Sequence, residues 1–297
     1  MSRPRLTTDT DYCAALVREL DRDRYVADLF APAARRGALF ALHAFNVEVS
    51  RVREAITNPL AGEVRLHWWR EALAGGARGD VQANPVAAAL LAAIETHRLP
   101  RASLEALLEA RQFDLYDDPM PTVNDLEGYA GETSSALIRL ATLVLAPEAG
   151  AASAEAGAAS AEAAGHAGVA YAVTGLLRAF PVHARRGQCY LPLDLLTAHK
   201  LTREDAVSGQ ASPALMEVLA VLRALARRHY GAAMTALAGV DPAELPAFLP
   251  LMLVPGDLDA IGRPHDPFAA VPAAPALARL WRLWRGAGAL RKAVKAR

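Results

Sequence analysis

Cysteine is nearly absent: Cys13 and Cys189 are the only two in 297 residues. That is too few for a disulfide framework, and they lack metal-ligand spacing, so both are expected as buried packing residues in a reduced compartment. Long apolar runs are missing too. The stretch Leu137 to Leu145 is broken by Arg139 and soon ended by Pro147, short of the roughly eighteen residues a membrane span needs. Asp9, Asp11 and Glu19 interrupt the N-terminal region, where a signal peptide needs apolar residues and a transit peptide avoids acids. The expected location is therefore cytoplasmic, with peripheral contact to the inner (cytoplasmic) membrane left open. Charge of one sign is not in excess: 32 Lys and Arg balance 32 Asp and Glu, so there is no chain-wide field for nucleic acid. No phosphate loop, dinucleotide fingerprint, zinc spacing or serine-nucleophile elbow is found. β-Branched runs bounded by hairpin turns are also missing.

What is present is helical periodicity in a chain that is 53% apolar and 22% charged, the composition of a folded globular protein. Leu39, Leu42, Phe45, Val49, Val52 and Ile56 mark one buried helix face, closed by Asn58-Pro59. Thr122 with Asp125, Thr202 with Asp205, Ser212 before Pro213, and Asp241-Pro242 with Glu244 have the chemistry of N-caps. Helices are expected near 10–22, 34–57, 61–75, 83–97, 101–116, 123–146, 166–182, 213–239, 242–254 and 275–295. Gly150 to Ala156 is repeated as Gly157 to Ala163. With no large apolar side chain to bury, the low-complexity segment at about 147–165 is expected to be a surface insertion in a single all-α domain covering 1–297.

Two segments carry the functional signal. In ARRGALFALHAFNVEVSRVREAI, Arg36 and Ala44-Phe45 precede Asn46, Ser50 and Glu54, spaced four apart on one helical face. In GVAYAVTGLLRAFPVHARRGQCYLP, Arg178 and Arg186-Gly187 lead to Tyr190-Leu191-Pro192. These motifs resemble the two signatures of the squalene/phytoene synthases, and further likeness through Arg111–Pro119 and Asp125–Ser135 extends it over roughly residues 12 to 295. The resemblance implies an all-α isoprenoid (terpenoid) synthase-like bundle around a central cavity. In that family, aspartates at the two signatures hold magnesium on a diphosphate. Here the first run falls on Ser50, Arg51, Val52, Arg53 and Glu54, and the second places Gly175, Ala179 and His183 at its acidic or amide positions. Asn46, Ser50 and Glu54 make a poor site for a hard cation that prefers several anionic oxygens.

The readings Ala-Phe-Asn-x-Glu, Gly-Leu-Leu-Arg-Ala and His-Trp-Trp-Arg are most similar to the branch that includes a mitochondrial complex I assembly factor. The resemblance thus implies a non-catalytic binding or assembly protein whose partners are respiratory-complex subunits. The alternatives are a prenyl transferase acting on allylic diphosphates, with magnesium as cofactor in that case alone, and a carrier of an isoprenoid diphosphate or lipid phosphate. Ligand-contacting candidates, by family position, are Arg36, Asn46, Ser50, Glu54, Arg178, His183, Arg186 and Tyr190; no catalytic residue or metal ligand is assigned. Asp114, Asp117 and Asp118 read as a turn with solvated carboxylates in preference to a displaced metal site. Trp68 and Trp69 point about 100° apart on a helix, one into the core. Near the C-terminus Trp281 and Trp284 share a face among basic residues that include Arg291, Lys292, Lys295 and Arg297. That face is expected to pack on the domain, with docking on a membrane surface as the alternative.

Overall fold

The computed structural model describes residues 8–56, 58–76, 81–146, 154–272 and 274–295. Among them every regular element is a helix, as the periodicity requires. Helices α1 (Asp9–Leu20), α2 (Arg22–Asp28), α3 (Ala33–Ser50), α4 (Pro59–Ala74), α5 (Pro85–His97) and α6 (Arg101–Ala110) form the N-terminal part. Then come α7 (Val123–Ala130) and α8 (Ala136–Leu145), and after them the long α9 (Ala154–Arg185). Short α10 (Leu193–Ala198) and α11 (Arg203–Val207) lead to α12 (Pro213–Ala236), α13 (Val254–Ile261) and α14 (Ala276–Lys295).

The N-caps form as their chemistry demands. Thr122 and Asp125, and Thr202 and Asp205, make reciprocal capping boxes, and Ser212 accepts from the Leu215 amide ahead of Pro213. Three expectations are corrected. The helix expected over 123–146 is interrupted by a π-helical turn, Gly131–Ser135. The one expected over 242–254 is a 3-10 helix, Pro242–Leu253, because Pro246 and Pro250 lack the amide hydrogens that an α-helical ladder uses. The low-complexity segment is not all surface insertion: α9 begins at Ala154, and Ser160, Ala163 and Ala164 are buried. Small side chains let this turn of α9 pack closely, and the Ser160 hydroxyl donates to the buried Glu244 carboxylate. Residues 147–153 lie outside the described residues.

Two apolar clusters make the interior. One gathers α1, α3 to α6 and α8, including Leu39, Leu42 and Phe45, whose ring meets Trp69 edge-on at 4.9 Å. Trp69 is core and Trp68 half-buried, as expected of adjacent tryptophans on one helix. The other cluster gathers α9, α12, α13 and α14 around Ala167, Ala170, Val173, Leu177 and Phe180. Cys13 and Cys189 are free and buried, and burial pushes the Cys13 thiol up to about 12, so both behave as small apolar side chains.

Candidate functional site

Elements of both clusters wall a cavity of about 440 Å³. Helix α3 and its 3-10 extension contribute Asn46, Ser50, Arg51 and Glu54. Helix α9 contributes Tyr171, Gly175, Ala179 and His183. Four-residue spacing puts Asn46 with Ser50, and the four residues of α9, each on one helical face, and the fold turns both faces to the same space. The remaining wall comes from Asp21, Arg24, Arg111, Tyr129, Thr133 and Ser134. The π-helical turn supplies Thr133 and Ser134; Thr133 returns its hydroxyl to the Tyr129 carbonyl at 2.6 Å, which satisfies one of the carbonyls that a π-bulge displaces.

Behind this wall, bonded to its Arg111 and Tyr129, lies Asp114. It is 6% exposed and accepts from the Tyr129 hydroxyl at 2.7 Å, the Tyr190 hydroxyl at 2.9 Å and Arg111 Nη1 at 2.9 Å. The turn expected at 114–118 is corrected here. Asp118 is exposed and Asp117 pairs with Arg53, but Asp114 is held inside by partners distant in sequence. Gly187, at φ +73°, reverses the chain after α9 in a conformation that disfavours side chains. Gln188 then donates to the Asp114 carbonyl at 3.3 Å, and Tyr190 reaches the Asp114 carboxylate.

Burial works against the charge of Arg111, yet Tyr129 and the Asp114 carboxylate raise its pKa above the ordinary value. Burial opposes the charge of Arg24 as well, and Asp21, 2.6 Å away, keeps it protonated. The Arg24 guanidinium lies 4.8 Å from the centre of the Tyr171 ring. Burial, followed by the nearby Asp114 charge, holds Tyr129 and Tyr190 above the usual phenol range, so both act as neutral donors. Burial lowers the pKa of His183; Arg186 adds to this, while Asp114 and Glu54 oppose it. Two buried nitrogens of the wall, Arg111 Nε and His183 Nδ1, have no partner among the described residues.

The eight candidates from the sequence separate by location. Asn46, Ser50, Glu54 and His183 line the cavity. Arg186 stands 3.5 Å from Glu54, and Tyr190 packs its ring 4.7 Å from that of His183. Arg36 does not join them: its Nε donates to the Ala31 carbonyl at 2.9 Å, tying down the first turn of α3. Arg178 is also elsewhere, 2.9 Å from Asp257 on α13. Glu54, the one carboxylate of the α3 face, lies 2.6 Å from Arg51. Among the described residues no three His, Cys, Asp or Glu side chains gather as a metal site. Sequence reasoning passed over Arg24, Arg111, Tyr129 and Tyr171. Tyr171 carried a signal, a phenol between Ala170 and Ala172 in a helical stretch, whereas Arg24 stands among charged residues and carried none.

Comparison with known proteins completes the description. The family model described as squalene/phytoene synthase matches residues 17–283. The human protein named NADH dehydrogenase (ubiquinone) complex I, assembly factor 6 is 29% identical over 252 residues, which is 85% of this chain and 73% of that one. The 15-cis-phytoene synthase of Synechocystis is 24% identical over 259 residues, 84% of this chain and 76% of the enzyme. A crystal structure of a dehydrosqualene synthase superposes with a TM-score of 0.80 at 17% identity, covering 96% of this chain and 97% of that one. A squalene synthase from Alicyclobacillus acidocaldarius gives 0.69 at 20% identity, covering 85% and 92%.

Proposed function

The chain belongs to the squalene/phytoene synthase family, and from that premise we propose that it is a non-catalytic member that acts by binding, in the assembly or support of respiratory complex I. The observation that carries the reading is the donor set of the cavity. Ionising an allylic diphosphate develops charge on departing pyrophosphate, which divalent cations stabilise. Magnesium demands near-octahedral oxygen ligands and favours carboxylates. At the positions where the family resemblance puts those ligands, α3 and its extension offer Ser50, Arg51 and Glu54, and α9 offers Gly175, Ala179 and His183. Glu54 is shared between Arg51 and Arg186, and Asp21 is bound by Arg24. These residues do not fit the ion. The relatives named complex I assembly factor 6, matched across 85% of this chain in the human case, support the direction of the proposal.

A second reading concerns the cavity itself. Arg24, Arg51 and Arg111 line it, and guanidinium groups bind phosphate oxygens without metal. An isoprenoid diphosphate or lipid phosphate held there without turnover fits that arrangement.

One set of assays separates the possibilities. Purified protein is incubated with farnesyl or geranylgeranyl diphosphate and magnesium, and pyrophosphate and lipid products are measured. In parallel, assembled complex I is quantified in cells with and without the gene. The expected result is no pyrophosphate release and less assembled complex in the deletion strain. Turnover to a condensed prenyl product would overturn the proposal in favour of a transferase, and unchanged complex I would remove the assembly role.

A further inference from the structure

We propose that the solvent face of α14 docks on an anionic lipid surface. The helix contains no aspartate or glutamate between Ala276 and Lys295, and its 3.6-residue period divides it into two faces. Leu283, Ala287 and Leu290 are buried and hold the helix to the 3-10 segment Pro242–Leu253 and to α2. Leu277, Trp281, Trp284, Arg285, Arg291 and Lys292 fall within an arc of about 120° on the other side, and all six are exposed. Leu277 is 79%, Trp281 54% and Trp284 67% exposed. The inward face already anchors the helix, so packing within the chain gives no reason for two tryptophans in water.

Charge selects the occupant. Among the described residues the ion pairs of α14 are those of Arg279, with Asp23 and Asp257. Arg285, Arg291 and Lys292 therefore keep their charge uncompensated. The Arg285 guanidinium lies over the Trp281 ring at 4.6 Å, so a cation and an indole are presented together. Beside them is a concavity of about 650 Å³ lined in part by Phe30 and Met252. Indoles settle at the headgroup level of a bilayer, where one edge is apolar and the N–H is wet. Juxtaposed cations gain from the negative potential of anionic lipids. No helix among the described residues is long and apolar enough to cross a membrane, so the contact is that of a helix lying in the interface.

The test is co-sedimentation of the full chain with vesicles of phosphatidylcholine alone, or of phosphatidylcholine mixed with phosphatidylglycerol. Binding is expected to the mixed vesicles only and to weaken with salt. Arg285→Glu, Arg291→Glu and Lys292→Glu together are expected to lower the affinity on the order of a hundredfold, about fivefold for each cation lost. Trp281→Ser with Trp284→Ser weakens what remains at high salt. These side chains are exposed, so circular dichroism should show an unchanged fold. Absence of binding, equal binding to both vesicles, or full binding by the triple variant would overturn the inference. So would a wild-type chain that ignores vesicles yet binds a purified protein partner through the same residues, since the face would then be a protein interface.

Discussion

Asp114 joins three donors drawn from 111, 129 and 190, and its loss would strand a buried guanidinium. Asp114→Ala is expected to cost about 3–5 kcal/mol in urea unfolding, as for other buried pairs broken on one side. Arg70→Ala, which removes an ion pair to the largely exposed Glu109, is expected to cost less than about 1 kcal/mol. His183 gives a pH dependence of definite sign. Its folded-state pKa lies below the free value of 6.5, so between the two the unfolded chain binds more protons. Its contribution is complete above 6.5 and declines as pH falls through the folded value. His97 shifts in the same direction, burial and then Arg35 being the causes. Asp28 acts oppositely: burial raises it above 3.8 despite His43, so its contribution is lost as pH rises through its folded value. Thermal unfolding followed from neutral to mildly acid pH should therefore show a fall in midpoint that His183→Gln makes shallower. An identical slope in wild type and variant would contradict the buried-imidazole account.

At the scale of elements, α9 approaches the π-helical turn where it has no side chain. A Cβ on Gly168 would meet the Ser135 backbone at 2.3 Å, and Ser135 already donates to the Gly165 carbonyl at 2.8 Å. Gly168→Ala is expected to destabilise by about 1–3 kcal/mol through forced separation of the two elements. A Cβ on Gly175, two turns further along and lining the cavity, would meet nothing within 4 Å among the described residues. Gly175→Ala is expected to stabilise by about 0.5–1 kcal/mol, since alanine is the better helix former. Urea midpoints of the two variants should move in opposite directions; movement in the same direction would refute the contrast between a helix crossing and an open wall.

For the whole molecule, the cavity is the joint product of two cores, and any ligand within it ties them together. A ligand that binds only the folded state stabilises by mass action, about 2.7 kcal/mol at a hundredfold excess over Kd. Farnesyl diphosphate is expected to raise the melting temperature equally in EDTA and in magnesium, because Arg24, Arg111 and His183 are the groups facing it. A shift seen in magnesium alone would return the site to metal-dependent chemistry.

Much was determined by the sequence itself: helical class, the caps at Thr122, Thr202 and Ser212, the buried cysteines, and the two segments that carry the family likeness. These are local properties, set by periodicity and by side chains within one turn of the backbone they serve. Only the tertiary structure decided that Asn46 and His183 share a cavity while Arg36 and Arg178 do not, because a helix face has no partner until the chain is packed. It alone drew Asp114 inward, since its donors are as many as 76 residues away. It also turned Trp281 and Trp284 outward, because an amphipathic pattern with two apolar faces leaves open which one the core will take.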